Sequence, residues 1–207
     1  SGDAQMSSLF QSNLEGSDLS NFPLEVAYGS KLTLKNMAYG GGLLHSHIQT
    51  YPEGSHDHQV TCYHHKDENN HFIISPTYED PPLPAADENI DEPPRMLKSG
   101  DVLRLVHQQL QTNLRSEAIP APITKEAHEV GCRASEKGAD SSEYWIVEVL
   151  RDVHLGPGRP EMPIRTLSST LRLRHKELGC YLRSGSAVLP DWGWKQMEVT
   201  CDPRNNP

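Results

Sequence analysis

The sequence predicts an all-β domain with pseudo-threefold symmetry, built from three units of about four strands each. Two observations predict it. Three short motifs recur in the same order at matched spacing, and each motif alternates apolar with polar residues as half-buried strands do. The length of 207 residues suits one compact domain with long polar loops. Because hydrophobic residues make up only 35% of the chain, we expect the three units to share one core.

The first motif of each unit is Leu-x-Leu, which occurs as Leu32-Thr33-Leu34, Leu103-Arg104-Leu105 and Leu171-Arg172-Leu173. The second is the Leu-x-Ser motif, which occurs as Leu44-His45-Ser46-His47, Leu114-Arg115-Ser116-Glu117 and Leu182-Arg183-Ser184-Gly185. The third is a Val-x-Cys motif, which ends at Cys62, Cys132 and Cys201. The cysteines are 70 and 69 residues apart, and each lies 18 or 19 residues after the leucine of the Leu-x-Ser motif. This matched spacing indicates a triplication.

The fourth strand of each unit is clear only in the first two units, at residues 71–74 and 144–147. The third unit has no room for one, because the chain ends shortly after Cys201. Either that strand is truncated or the N-terminal segment covers the gap. Proline-rich linkers at 80–95 and 155–163 then divide the chain into repeat one (24–79), repeat two (96–154) and repeat three (164–207). We expect one helical turn within residues 7–21.

The charge distribution excludes two classes of function. The formal net charge is −9 and no cluster of Lys and Arg occurs, which argues against binding of nucleic acid or of anionic lipid. No apolar run approaches the roughly 18–20 residues that cross a bilayer. Because the chain begins at Ser1-Gly2 without Met, we expect a fragment of a larger protein whose first two residues remain from cloning.

The first repeat resembles a known family. Its His45-Ser46-His47 and Gln59-Val60-Thr61-Cys62 resemble MIR repeats, which occur in protein O-mannosyltransferases, inositol trisphosphate receptors, ryanodine receptors and stromal-derived-factor-like proteins. Residues 43–70 are similar to fungal protein O-mannosyltransferases, closest to the subgroup of the second and third yeast members, and residues 8–11 and 24–30 resemble the lumenal loop that leads into their MIR domain.

The resemblance implies a β-trefoil of three MIR repeats in the lumen of the endoplasmic reticulum. It also implies a multi-pass membrane enzyme as the parent protein, which moves mannose from dolichyl phosphate mannose to Ser or Thr of proteins. The catalytic acids of that family lie in a different lumenal loop. We therefore expect no catalytic residue in this chain and no transferase activity of the chain alone.

The Leu-x-Ser motif is the main candidate for ligand binding, because hydroxyl, imidazole and guanidinium groups supply donors and acceptors for sugar or peptide. The candidate residues are Leu44, His45, Ser46, His47, Leu114, Arg115, Ser116, Glu117, Leu182, Arg183 and Ser184. Aromatic platforms are available from Tyr51 in repeat one and from Tyr181, Trp192 and Trp194 in repeat three. The alternative is structural: each leucine lies in the core and each serine closes a turn.

The expected ligand is an acceptor polypeptide or a mannosyl glycan, with single-site affinities on the order of millimolar. A partner mannosyltransferase subunit is a further candidate, and the alternative function is a protein-interaction scaffold without glycan binding. The acidic linker would attract a basic partner, although we favour a solvated spacer. An inositol phosphate ligand is disfavoured by the net charge.

The histidines and cysteines raise a metal-binding alternative. Seven of the 11 histidines lie between His45 and His71, and their spacing would suit zinc, but we favour a polar surface hairpin and predict no metal or cofactor. We favour core positions for Cys62, Cys132 and Cys201, with one disulfide involving Cys180 as the alternative. Trp145 is predicted to lie in the core beside Phe72.

Overall fold

The computed structural model describes residues 4–8, 23–38, 40–85, 88, 91–135 and 141–204. Over these ranges the chain is all-β, as predicted, and thirteen strands join in one sheet. The strands are β1 (Ala4–Ser8), β2 (Lys31–Asn36), β3 (Leu43–Thr50), β4 (His58–Tyr63), β5 (Phe72–Ser75), β6 (Val102–His107), β7 (Thr112–Pro120), β8 (His128–Arg133), β9 (Trp145–Asp152), β10 (Gly156–Pro157), β11 (Ser169–His175), β12 (Tyr181–Val188) and β13 (Met197–Asp202).

Three short 3-10 helices complete the regular structure of these ranges, at Glu68–Asn70, Ser141–Glu143 and Asp191–Gly193. The helical turn expected within 7–21 falls mostly outside the described residues, since only Ser7 and Ser8 are described and both lie in β1. No helix in the described part of the chain is long and apolar enough to cross a membrane.

The second and third motifs of each repeat face one another across a hairpin. The strand pairs are β3 with β4, β7 with β8 and β12 with β13. In all three, the leucine of the Leu-x-Ser motif lies directly opposite the cysteine of the Val-x-Cys motif: Leu44 with Cys62, Leu114 with Cys132 and Leu182 with Cys201. The recurrent spacing in the sequence is therefore a recurrent strand register.

Two closed rings of strands connect the hairpins. Strands β4, β8 and β13 pair with one another in a ring of three. Strands β2, β5, β6, β9, β11 and β1 pair in a ring of six. In that ring β1 lies between β11 and β2, just as β5 lies between β2 and β6 and β9 between β6 and β11. Strand β1 thus completes the ring of six between β11 and β2.

One buried cluster contains the apolar residues of all three Leu-x-Leu motifs, together with Phe72 and Trp145, both fully buried. Trp145 lies in the core as predicted, and its indole N–H donates to the Leu114 carbonyl oxygen at 2.9 Å. This hydrogen bond gives the indole N–H a partner in the core, while burial of the ring removes a large apolar surface from water.

The cysteines divide into a bonded pair and two thiols. Cys180 and Cys201 form a disulfide, whereas Cys62 and Cys132 are free and buried. All four side chains lie in the core cluster. In the linkers, the described residues of 80–95 form no strand, while Gly156 and Pro157 form β10 against β9.

Candidate functional site

The serines of the three Leu-x-Ser motifs are buried and make the same hydrogen bond. Each hydroxyl donates to a backbone carbonyl of the partner strand: Ser46 to Gln59 at 2.8 Å, Ser116 to Glu129 at 2.8 Å and Ser184 to Glu198 at 2.9 Å. After each serine the strand pairing shifts by a bulge. Leu44 and Leu114 are buried in the core, and Leu182 packs against it. These residues therefore hold the hairpin together.

The Leu-x-Ser motif of repeat two is occupied by a residue of repeat one. The Asp57 carboxylate accepts from Arg115 Nη1 at 2.6 Å and from Arg133 Nε at 2.6 Å, and Arg115 also pairs with Glu117. Arg115 is only 2% exposed. A Cβ on Gly131 would lie 2.6 Å from the Asp57 Cβ, so this approach requires a glycine. The predicted binding groups Arg115 and Glu117 are engaged within the chain.

The motif of repeat one differs in the surroundings of its second histidine, His47. His45 Nδ1 bonds Asn70 Oδ1 at 2.7 Å, but neither ring nitrogen of His47 makes a well-formed hydrogen bond among the described residues, although His47 is only 3% exposed. Burial, followed by the nearby His45, lowers the pKa of His47 to about 4, and the Gln196 side chain beside the ring opposes this shift only in part. The ring is therefore neutral near pH 7. A neutral imidazole offers one donor and one acceptor.

Two further polar atoms, on the strand paired with that of His47, also lack partners. His58 Nδ1 and Gln59 Oε1 are buried without a hydrogen bond, and both residues lie on β4, the strand paired with β3. Buried polar atoms without partners are rare in proteins and mark places where water or a ligand binds.

A row of aromatic rings crosses this region. Trp194 lies 4.4 Å from His47 between ring centroids, His47 lies 5.5 Å from His45, and His45 lies 4.8 Å from Tyr63. Trp194 is 56% exposed. We call His45, His47, Tyr63 and Trp194 the aromatic row. It offers an accessible ring above unpaired polar atoms, an arrangement suited to a hydroxyl-bearing ligand.

The aromatic residues do not lie where the sequence suggested. Trp194 belongs to repeat three but lies on the motif of repeat one. Tyr51 is fully buried, and its hydroxyl donates to the Val130 carbonyl oxygen at 2.8 Å, so it offers no platform. The Arg172 guanidinium covers the Tyr181 ring at 4.6 Å. The position of Trp194 arises because its hairpin loop packs against repeat one.

The Leu-x-Ser motif of repeat three is intermediate between the other two in how far its polar groups are paired within the chain. The Arg183 Nη1 atom lies 3.6 Å from Asp202 Oδ2, and Arg204 bonds the same carboxylate at 2.7 Å. Hydrogen bonds from Arg204 are the main cause that lowers the pKa of Asp202. The acid at this motif therefore comes from its own strand β13 and not from a neighbouring loop.

One set of residues that connect the repeats by hydrogen bonds was not identified from the sequence. Gln59, Glu129 and Glu198 occupy the same position in the three repeats, and each bonds a hairpin loop of another repeat. Gln59 Nε2 donates to the Trp192 carbonyl oxygen, Glu129 accepts from the Ser55 hydroxyl, and Glu198 accepts from the Ile123 and Thr124 backbone N–H groups. The signal was present as the recurrent Gln/Glu that opens each Val-x-Cys segment.

The histidines of residues 45–71 do not gather around one point. No group of three His, Cys, Asp or Glu side chains in the described ranges is placed to hold a metal ion. His45 bonds Asn70, and His56 Nδ1 lies 3.2 Å from the Tyr51 carbonyl oxygen, while His64 and His65 are exposed.

The sequence of this chain is similar to a protein family and to several known proteins. A family model described as MIR domain matches residues 42–207. The chain is 41% identical over 201 residues to dolichyl-phosphate-mannose–protein mannosyltransferase 2 of Candida albicans, covering 97% of this chain and 26% of that protein. It is 38% identical over 201 residues to mannosyltransferase 3 of Saccharomyces cerevisiae, with 97% of the chain and 26% of that protein covered. The chain thus spans about a quarter of these relatives.

Two solved structures have a fold similar to that of this chain. The S. cerevisiae protein O-mannosyltransferase Pmt1-Pmt2 complex bound to the sugar donor matches with a TM-score of 0.73 and 30% identity, covering 95% of this chain and 26% of that one. The SDF2-like protein from Arabidopsis thaliana matches in fold with a TM-score of 0.68 at 24% identity, covering 88% of this chain and 91% of that one.

Proposed function

Because the chain belongs to the MIR domain family, we propose that it is the MIR domain of a protein O-mannosyltransferase and that it binds ligand for the parent enzyme. The parent enzyme would transfer mannose from dolichyl phosphate mannose to Ser or Thr of proteins in the endoplasmic reticulum, with this domain in the lumen. Similarity to mannosyltransferases over nearly the whole chain supports this assignment.

The fold of the proposed domain is a β-trefoil of three MIR repeats, with the boundaries 24–79, 96–154 and 164–207. The closed ring of three and the closed ring of six strands support it. The repeated opposition of leucine and cysteine in the hairpins supports the same division. In this arrangement β1 supplies the fourth strand of repeat three.

The isolated chain is expected to have no transferase activity, since the family resemblance places the catalytic acids in another lumenal loop. Its contribution is to hold the acceptor polypeptide or the mannosylated product beside the parent's catalytic centre. Tethering to the enzyme would make millimolar affinity useful by raising the effective concentration of the ligand.

The buried His47 imidazole, which has no well-formed hydrogen bond among the described residues and packs against the exposed Trp194 ring, is the observation that carries the binding role. Of the three Leu-x-Ser motifs, that of repeat one offers an exposed ring together with a neutral imidazole, and the motif of repeat two is filled by Asp57. We therefore rank the residues His45, Ser46 and His47 first, Arg183 and Ser184 second, and Arg115, Ser116 and Glu117 last. An uncharged ligand with hydroxyl groups matches the neutral site.

Titration of the 207-residue chain with methyl α-mannoside and with a Ser/Thr-rich peptide tests this proposal. We expect amide and indole NMR shifts at His47 and Trp194 with a dissociation constant on the order of millimolar. Trp194→Ala should abolish them, while Lys195→Ala, which changes the exposed neighbour, should retain them. Absence of shifts at all three motifs at high millimolar ligand would contradict the proposal.

The second candidate is a scaffold for a partner subunit, favoured by the similarity to a complex of two mannosyltransferases. In that case substitutions in the exposed acidic linker, such as Glu92→Lys, should disrupt assembly with a partner mannosyltransferase. Trp194→Ala would then leave assembly unchanged. Co-purification of the full-length parent protein with its partner separates the two candidates.

A further inference from the structure

A cavity of about 510 Å³ lies where the three hairpin loops converge. We define these loops as residues 51–57, 121–127 and 189–196, which join β3 to β4, β7 to β8 and β12 to β13. The wall is mainly apolar, with Ile119, Pro120, Ile123 and Trp192 among its residues. The volume falls in the usual range for ligand sites, which combine apolar walls with a few polar groups.

The Glu129 carboxylate is the buried charge of this cavity. Glu129 lines the cavity but is only 4% exposed, and it accepts a hydrogen bond from the Ser55 hydroxyl. Gly54 lies against it, since a Cβ at Gly54 would collide with Glu129 Oε2. Among the described residues no Lys, Arg or His nitrogen lies within 4.0 Å of this carboxylate.

The equivalent positions in the other repeats have different surroundings. Glu198 accepts from two backbone N–H groups, and Gln59 is uncharged. A buried carboxylate without a cation is costly, because it has lost its hydration without gaining a counter-charge. Burial raises the pKa of Glu129, although hydrogen bonds from the Ser55 hydroxyl and backbone N–H and the charge of Arg115 oppose this rise. A cation entering the cavity would remove the cost.

We propose that this cavity binds a lysine side chain of a partner polypeptide, with the aliphatic stem against Ile119, Ile123 and Trp192 and the ammonium group at Glu129. The apolar wall matches the four-carbon stem, and the buried carboxylate matches the charge. Arginine fits less well, because its guanidinium prefers both oxygens of a carboxylate and the Ser55 hydroxyl already occupies one. The cavity is separate from the aromatic row.

Binding of Nα-acetyl-lysine N-methylamide to the 207-residue chain tests the proposal. We expect shifts of the Trp192 indole and of the Ile119 and Ile123 methyl groups, with a dissociation constant on the order of millimolar. The norleucine analogue has nearly the same stem but no charge and should bind at least about tenfold more weakly. This comparison leaves the protein unchanged, so it does not depend on the folding of any variant.

Glu129→Gln should weaken lysine binding at least about fivefold, and Gln59 shows that glutamine is compatible with this position in the fold. Lys125→Gln is the matched control, since Lys125 lines the same cavity. If the Lys125 ammonium competes with the lysine ligand for Glu129, its removal strengthens binding, and otherwise it leaves binding unchanged. Equal binding of norleucine, unchanged affinity in Glu129→Gln, or tighter binding of the arginine analogue would overturn the proposal. Trp194→Ala should leave lysine binding intact, so this result is independent of the aromatic row.

Discussion

Asp57 and Arg115 form a buried ion pair between two repeats, with a distance of 2.6 Å from Arg115 Nη1 to Asp57 Oδ2. The aspartate belongs to the first hairpin loop and the arginine to the Leu-x-Ser motif of repeat two. A residue of the chain thus fills the place where a ligand was expected. The three repeats have equivalent strands but different occupants at their motifs, which explains why we expect one dominant site.

Asp57→Asn should destabilise the protein by about 3 kcal/mol, because it removes the charge that compensates buried Arg115. Urea unfolding monitored by circular dichroism measures the change. Asp191→Asn is the control, because Asp191 pairs with Lys195 at the surface at 3.7 Å and should change stability by less than about 0.5 kcal/mol. Similar effects of the two substitutions would contradict the role given to Asp57.

The lowered pKa of His47 predicts that the stability of the protein depends on pH. Its pKa is lowered to about 4 from 6.5, so the unfolded chain binds more protons at this residue between these values. Its stabilising contribution is therefore complete above about pH 6.5 and declines as the pH falls towards 4, by at most about 1.4 kcal/mol per pH unit. His47→Gln should flatten the decline of the urea midpoint, whereas His64→Gln, at an exposed position, should not.

Ser184→Ala should cost about 1–2 kcal/mol, because the buried Glu198 carbonyl oxygen loses its hydroxyl donor. Ser186→Ala removes the same group from an exposed position two residues along β12 and should be nearly neutral. Thermal unfolding of both variants makes the comparison. If Ser184→Ala were also neutral, the serine would not stabilise the bulge.

Cys180→Ala should destabilise the chain by about 3 kcal/mol, because the disulfide to Cys201 closes a loop with a sequence separation of 21 residues. Cys62→Ala, which removes a buried thiol without breaking a disulfide, should cost less. Denaturant unfolding of both variants under non-reducing conditions tests this. A larger loss in Cys62→Ala would indicate that packing outweighs the cross-link.

The recurrent motifs were enough to predict the all-β fold and the strands that carry the motifs, because strand register leaves a periodic trace in the sequence. Leu44, Leu114 and Leu182 share one position in the recurrent pattern, and each lies opposite a cysteine in its hairpin. The contact of Trp194 with His47 was not predictable in this way, since periodicity does not say which loop leans onto which repeat. The aromatic platform was therefore assigned to the wrong motif. The Asp57–Arg115 pair was missed for the same reason.

The position of β1 has a consequence for synthesis of the chain. Ala4 pairs with Leu171, 167 residues later, so the first strand cannot complete its pairing until β11 has been translated. At usual elongation rates this delay is roughly ten to thirty seconds. Contacts so distant along the chain also slow folding. The N-terminal segment must therefore remain available until β11 is made. All six strands of the larger ring are then present, whereas the ring of three still waits for β13.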